Sequence, residues 1–289
     1  MAIDIARRLG TEIISADSRQ VYSGMPVTVA MPTAAERAAV RHHLVDFLDI
    51  GSQYSAARFA DDAMALLPGL FDRAGCAVVC GGSMMYVDAL TRGIDNIPTI
   101  SDAVRGRVRD LYSQHGLEGV LAMLQIDDPE YYAAVDRSNT RRVMHALEVC
   151  MQAGVPYSTL LTGQTVDRPW RTMTMAVGWD RQRLFDRINR RVDAMVAAGM
   201  EDEARAMYPR RLNADGSLNN ALNTVGMKEW FAHFDGLMDR DTAIARIAKN
   251  TRVYAKKQLT WMARPTSAPV VMLDPDRDLA QQAMRHLRT

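Results

Sequence analysis

No apolar run in the chain approaches the roughly 18 residues that suggest a membrane span, and no secretory or transit segment opens it. Both absences point to the cytoplasm. Cysteine is scarce: Cys76, Cys80 and Cys150 form an odd set with no dense spacing, which argues against a disulfide framework and for reduced thiols. Charge of one sign is lacking too. Lys and Arg number 35 against 34 Asp and Glu, a net charge of +1, so a nucleic-acid ligand would need a local basic face. The 289 residues hold no repeat and no low-complexity tract and suffice for one large core or two smaller domains. Metal-ligand spacing is missing as well. His42 and His43 are adjacent, so their side chains diverge on a strand or helix, and no Cys or acidic cluster completes a set.

What is there is an alternation. Four short apolar runs, at residues 12–16, 77–80, 173–177 and 270–273, read as buried strands. Helical patterns between them predict βα units and a parallel sheet, an α/β fold. Cys76 precedes the second run and Cys80 ends it, so core packing is the expectation for both. Residues 3–10 read as the tail of a helix closed by Gly10. A helix of 56–71 follows, ending before Gly75. Between about 98 and 172 no strand is evident. Ser101 and Asp102 can cap a helix to about 114, a second helix covers 117–124, and a third covers 140–152, stopped by Gly154 and Pro156. This block reads as a helical insertion at 99–164, dividing a core of 1–98 and 165–289. Later helices are expected at 183–198, with Ile188, Val192 and Met195 inward and Arg191 bordering them, and at 241–262. On the last, Ile244, Ile247, Thr251, Tyr254 and Ala255 share one face, and Lys249, Arg252 and Lys256 line another that could follow a phosphate backbone.

Four groups could carry chemistry, each with a plainer reading beside it. Asp17 stands with Ser18, Arg19 and Gln20 at the end of the first run, where open parallel sheets bind ligands. It could take a proton from a substrate amine or hydroxyl, or simply cap a turn. Gly81, Gly82 and Ser83 follow the second run and could bring backbone N–H groups to an anion at a helix start, or make a tight turn. Arg141 and Arg142 open one helix, and Arg187, Arg190 and Arg191 lie on another. Arginine forks suit phosphate, though most helical arginines are only solvated. Leu222 to Lys228 make a donor-rich loop around Gly226, or a helix cap.

Their order is more telling than any one of them. ISADSRQVYSGM (14–25), VRHHLVD (40–46), YSAARFADDA (54–63), GGSMMYVDAL (81–90), NTRRVMHALEV (139–149), RINRRVDAMVAAGMEDEARAMYP (187–209), NALNTVGMKE (220–229) and NTRVYAKKQLTW (250–261) are collinear. Together they resemble the tRNA dimethylallyltransferase family. The resemblance implies a P-loop NTPase-like parallel sheet with an inserted helical tRNA-binding domain. The reaction it implies moves a dimethylallyl group from dimethylallyl diphosphate to the exocyclic amine of the adenosine adjacent to the anticodon, with Mg²⁺ as cofactor.

Residue by residue, the resemblance makes Asp17 the general base. Ser18, Arg19 and Gln20 complete a tRNA-contacting run, and Ser83 keeps the hydroxyl of a tRNA-contacting position that is usually threonine. Arg105 matches a tRNA contact, as does the run Arg141, Arg142, Val143, Met144 and His145, in which His145 replaces a common arginine. Arg191 matches a diphosphate contact. Asn223, Thr224, Val225, Gly226, Met227 and Lys228 match the loop that approaches the anticodon arm.

Two departures stand out. The family's phosphate loop, a form of G-x-x-x-x-G-K-[ST], is absent, and a strand plus loop of roughly 15–20 residues is expected upstream of Met1. Loss of such a central strand should expose its neighbours. Second, residues 26–33 read PVTVAMPT where many members carry a lysine. The alternative to an enzyme is a tRNA-binding remnant without the diphosphate cradle; intact Asp17, Ser83 and Arg191 count against it. A small-molecule nucleotide kinase would share the core but not the tRNA runs.

Overall fold

In the computed structural model, residues 1–163, 165–213, 216–264 and 269–287 are described. Helix α1 (Ala2–Leu9) ends on Gly10, whose left-handed backbone (φ 64°) returns its N–H to the last turn. Strand β1 (Ile13–Ser15) is buried throughout. Helix α2 (Ala34–Ala39) starts with a reciprocal Thr33–Glu36 capping box, and the two-residue β2 (His42–His43) follows. Ser55 caps α3 (Ala56–Ala74), which Gly75 ends. Then come β3 (Val78–Cys80) and α4 (Met84–Arg92). The three strands make a parallel sheet in the order β2-β1-β3, with Ile13 opposite both His42 and Val78.

The chain divides into two compact units, Met1–Thr91 with Arg168–Thr289, and Arg92–Asp167. The second is helical. Its α5 (Asp102–Asp127) merges the two helices expected at 101–114 and 117–124, and Gly116 (φ 65°, ψ −165°) breaks it between them. Helices α6 (Pro129–Ala134), α7 (Thr140–Ala153) and α8 (Tyr157–Leu160) complete the unit. Val108, Val120, Leu124, Val143, Ala146 and Leu147 form its core. Asp128 is fully buried there. Its Oδ1 accepts from the Tyr131 N–H (2.9 Å) and the Ser158 hydroxyl (2.8 Å), and its Oδ2 from the Ser158 N–H (2.6 Å). A buried carboxylate is tolerable when its lone pairs are filled in this way.

The first unit resumes with β4 (Thr174–Val177), α9 (Arg181–Ala197), α10 (Met200–Met207) and a 3₁₀ turn at Tyr208–Arg210. It continues with α11 (Met227–Phe234), α12 (Arg240–Met262), β5 (Val270–Leu273) and α13 (Leu279–Leu287). Strands β4 and β5 pair in parallel, Thr174 opposite Val270. One core seals β1 against α3 and α4 through Ile14, Phe59, Leu67, Leu70 and Tyr86, with Phe59 stacked on Tyr86 at 4.4 Å. Another joins Tyr22, Met25, Val192, Met200, Leu222, Trp230 and Ile247. Each such side chain contributes about 1.5–3 kcal/mol on burial.

Among the described residues β3 pairs only with β1, and β4 only with β5. Ile5 of α1 packs in one cluster with Leu273 of β5, Val78 of β3 and Met175 of β4, so α1 spans the break between the sheets. The expectation that 77–80 is a buried strand with two core cysteines is therefore corrected. Val79 is 39% exposed, Cys80 is exposed and Cys76 is half-buried. A parallel strand is buried only when partners and covering helices reach both its sides, and β3 has a strand on one side. Among the described residues no helix is long and apolar enough to cross a membrane.

Candidate active site at the end of the first strand

The chain leaves β1 through Ala16 and turns at once. Asp17 Oδ1 accepts from the Arg19 N–H (2.8 Å) and the Gln20 N–H (3.3 Å). The turn-capping reading of Asp17 is thus correct as far as it goes. Among the described residues these bonds use Oδ1 alone, which leaves Oδ2 to act on something else. Beside it, Ser83 Oγ accepts from the Ser18 N–H (2.8 Å) and lies 3.1 Å from Ser18 Oγ. The Ser83 N–H donates to the Ala16 carbonyl (3.1 Å). That approach requires glycine at 81, where a Cβ would collide with the Ala16 carbonyl. The two sequence motifs, remote along the chain, are one constellation because β1 and β3 are neighbours.

Arg19 and Gln20 are committed to protein partners. The Arg19 guanidinium donates to the carbonyls of Asn220 (2.5 Å) and Ala221 (3.4 Å). Burial lowers its proton affinity, and the phenols of Tyr22 and Tyr86 and then Asp17 oppose that. The Gln20 amide donates to the carbonyls of Val29 (3.2 Å) and Ala30 (3.0 Å) and accepts from Ser15 Oγ (3.0 Å). These two side chains tie the Asp17 turn to the 26–33 segment and to the loop before α11.

That loop is both donor-rich and a helix start. Glu229 in the first turn of α11 accepts from the Gly226 N–H (2.7 Å) and the Asn250 amide (2.7 Å). Glu203 of α10 holds the N–H groups of Val27 and Thr28, both at 2.8 Å. Asn223, Thr224 and Val225 are half-buried and Lys228 is exposed. Met227 is fully buried, so its side chain faces the core.

Arg191 lies on α9 at the border of the buried Ile188 and Val192, and it is exposed. Among the described residues it makes no hydrogen bond or ion pair. Arg183 and Arg187 of the same helix instead flank Trp179, at 5.0 and 4.3 Å from its ring centre. Arg252 of α12 donates to Asn189 Oδ1 (2.5 Å), which joins the two basic helices, and Lys249 and Lys256 are exposed.

In the helical unit, Arg105 is half-buried in the first turn of α5. Arg141 and Arg142 are exposed in the first turn of α7, and Met144 is half-buried. His145 is exposed, with Nδ1 3.7 Å from the Glu148 carboxylate. Val143 is fully buried in the core of the unit; of that run, only the polar members and Met144 have side chains at the surface. His42 and His43 are engaged elsewhere, His42 with the Val40 carbonyl (2.8 Å) and His43 with Glu12 (2.5 Å).

Sequence reasoning missed two residues of this site. The Tyr254 hydroxyl and the Gln258 amide of α12 both donate to the Gly82 carbonyl, each at 3.0 Å. Tyr254 was expected on the apolar face of its helix. The available signal was the spacing of polar-tipped side chains at 254, 258 and 261, one stripe of a helix.

Residues 20–265 match the family model for IPP transferase. The chain is 44% identical over 267 residues to tRNA dimethylallyltransferase 2 of Porphyromonas gingivalis, covering 92% of this chain and 87% of that protein. It is 41% identical over 278 residues to tRNA dimethylallyltransferase 1 of Phocaeicola vulgatus, 96% of this chain and 90% of the other. The solved full-length tRNA isopentenylpyrophosphate transferase of Bacillus halodurans superposes with a TM-score of 0.68 at 33% identity, over 99% of this chain and 89% of that one. A eukaryotic dimethylallyltransferase solved while acting on tRNA shares the fold, with a TM-score of 0.78 at 21% identity, over 98% and 73% of the two chains. The parallel α/β core agrees with the fold class that the sequence motifs imply. With a match across most of its length and a site built from the same ordered motifs, the chain belongs to the IPP transferase family.

Proposed function

We propose that the protein transfers a dimethylallyl group from dimethylallyl diphosphate to the exocyclic amine of the adenosine adjacent to the anticodon of tRNA, in the cytoplasm, with Asp17 as general base. The observation that carries this reading is the Asp17 carboxylate, fixed through Oδ1 by two backbone N–H groups and open at Oδ2, beside the paired hydroxyls of Ser18 and Ser83. An aromatic amine is a weak nucleophile. As its nitrogen bonds to the allylic carbon, the carbon–oxygen bond to diphosphate breaks and the oxygen keeps the electron pair. The amine proton passes to Asp17 Oδ2. The target base must leave its stack to reach this position.

Charge gathers on the departing diphosphate, and cations placed where it develops stabilise the transition state. Arg191 is the residue assigned to it here. The exposed Arg141, Arg142 and Lys228, with Arg105, Asn223 and Thr224, are assigned to the RNA. Met144 and His145 add surface contacts in the same run, while Val143, Val225, Gly226 and Met227 shape the backbone that presents them. Arg19 and Gln20 act by holding that backbone, as their carbonyl bonds support. Among the described residues no group of three His, Cys, Asp or Glu could hold a metal ion. A magnesium ion that arrives with substrate phosphates needs only one or two carboxylates.

The test is transfer of label from dimethylallyl diphosphate to tRNA, with RNA binding measured in parallel. Transfer by the wild type and its loss in Asp17→Ala with RNA binding retained support the reading. RNA binding by the wild type with no transfer would favour the binding-only alternative.

A further inference from the structure

We propose that Tyr254 and Gln258 are positioning residues for the transfer: from α12 they clamp the Gly82 carbonyl and thereby lock the Ser83 hydroxyl against Ser18 beside Asp17. The proposal rests on the functional reading above and adds two residues to it.

A carbonyl oxygen has two lone pairs. At Gly82 both are taken by donors from successive turns of one helix, Tyr254 Oη and Gln258 Nε2, each at 3.0 Å. Filling both fixes the plane of the peptide that joins Gly82 to Ser83. At the opposite edge of the same peptide the Ser83 N–H is held by the Ala16 carbonyl at 3.1 Å. From that backbone Ser83 Oγ reaches the Ser18 N–H at 2.8 Å and Ser18 Oγ at 3.1 Å.

Consecutive glycines give a turn more conformational freedom than any other pair, so Gly81-Gly82 does not hold the Ser83 hydroxyl still by itself. The helix supplies what the turn lacks. The spot that a Cβ on Gly82 would occupy is filled by the Gln258 amide. The same stripe of α12 is anchored further along. The Trp261 indole donates to Asp88 Oδ2 (2.9 Å), and Arg264 Nη2 reaches both oxygens of Asp88 (3.2 and 2.9 Å), on the helix that Ser83 opens. The clamp therefore has a fixed register. Displacing reacting groups by about 1 Å can cost about 100-fold in rate, so the loss of one donor from a two-donor clamp should cost about tenfold.

The experiment compares Tyr254→Phe, Gln258→Leu and the double variant of the full chain with wild type, in two readouts. Hydrogen–deuterium exchange follows peptides covering 16–20 and 81–86. Single-turnover transfer at saturating tRNA and donor gives the rate, with the dissociation constant for tRNA alongside. The expected result is faster exchange in both peptides and a rate about tenfold lower in each single variant, with tRNA affinity within about twofold and the melting temperature nearly unchanged. Unchanged exchange and rate in the double variant overturn the proposal, as does a loss confined to melting temperature. Should the double variant not fold, Tyr254→Phe removes one hydroxyl only and carries the same readouts. Absence of transfer by the wild type would refute the functional reading, and exchange alone would then decide the clamp.

Discussion

Replacing Asp17 by asparagine isolates the base from the turn it caps. The asparagine Oδ1 can still accept from the N–H groups of Arg19 (2.8 Å) and Gln20 (3.3 Å), so the backbone path from β1 to Arg19 survives. What disappears is a charged acceptor, and the difference between charged and neutral hydrogen bonds is about 1 kcal/mol for each. For a half-buried turn that is a shift of a few degrees in melting temperature. The chemical loss is larger. A positioned general base contributes about 10²–10⁴ in rate, or about 3–5.5 kcal/mol of barrier. The assay is single-turnover transfer to an anticodon stem-loop with both substrates saturating, so that binding does not enter. Asp17→Asn should lose about two to four orders of magnitude while binding the RNA as wild type does. A variant that keeps its rate within about threefold, well short of that range, would refute the role given to Oδ2.

Other perturbations separate the parts of the account. Arg191→Ala should raise the KM for dimethylallyl diphosphate about tenfold or more, as removal of a charge-assisted contact does, with tRNA affinity unchanged; an unaltered KM and kcat would remove Arg191 from the diphosphate site. Asp128→Ala should destabilise the helical unit by about 3 kcal/mol, because three hydrogen-bonded donors around a fully buried carboxylate lose their acceptor; thermal melts of wild type and variant check this. Glu12 is held below its ordinary 4.5, first by its hydrogen bond with His43 and also by the charges of His43 and Arg73. A carboxylate lowered on folding stabilises above its ordinary pKa and loses that contribution as pH falls through the folded value. Glu12→Gln should therefore melt below wild type at neutral pH, by an amount worth about 1 kcal/mol or less, and the gap should close as pH drops under 4.5. A gap that persists in acid would mean that the bond does not depend on the ionised carboxylate.

Much of the fold was legible because its signals are local. The run at 270–273 is strand β5 to the residue, and Gly10 and Gly75 end their helices with left-handed backbones as their placement predicts. The break between the helices expected at 101–114 and 117–124 falls at Gly116, although the two join into one element. The elements overlooked are short. Strand β2 has two residues, too few for any period, and α10, α11 and α13 have eight or nine. Helix α6 did carry a start signal, a capping Asp128 followed by Pro129. The exposure of Val79 and Cys80 was not legible from the run 77–80 taken alone, since an apolar run does not say how many neighbours its strand has.

In the site, Asp17 and Ser83 stand out as motifs, and their meeting needs only β1 beside β3. The tasks of Arg19 and Gln20 do not stand out. Their partners are backbone carbonyls at 29, 30, 220 and 221, and a carbonyl leaves no mark in a sequence. Tyr254 and Gln258 share a polar-tipped stripe that the sequence shows, but their partner, the carbonyl of Gly82, it does not.

The most direct measurement is the nucleoside composition of an unmodified tRNA after incubation with the protein and dimethylallyl diphosphate, resolved by mass spectrometry of the digest. The account predicts one adenosine, adjacent to the anticodon, that gains a five-carbon dimethylallyl unit on its exocyclic amine, and no gain with Asp17→Asn. A tRNA that is bound yet recovered unmodified, or modified equally by the variant, would contradict it.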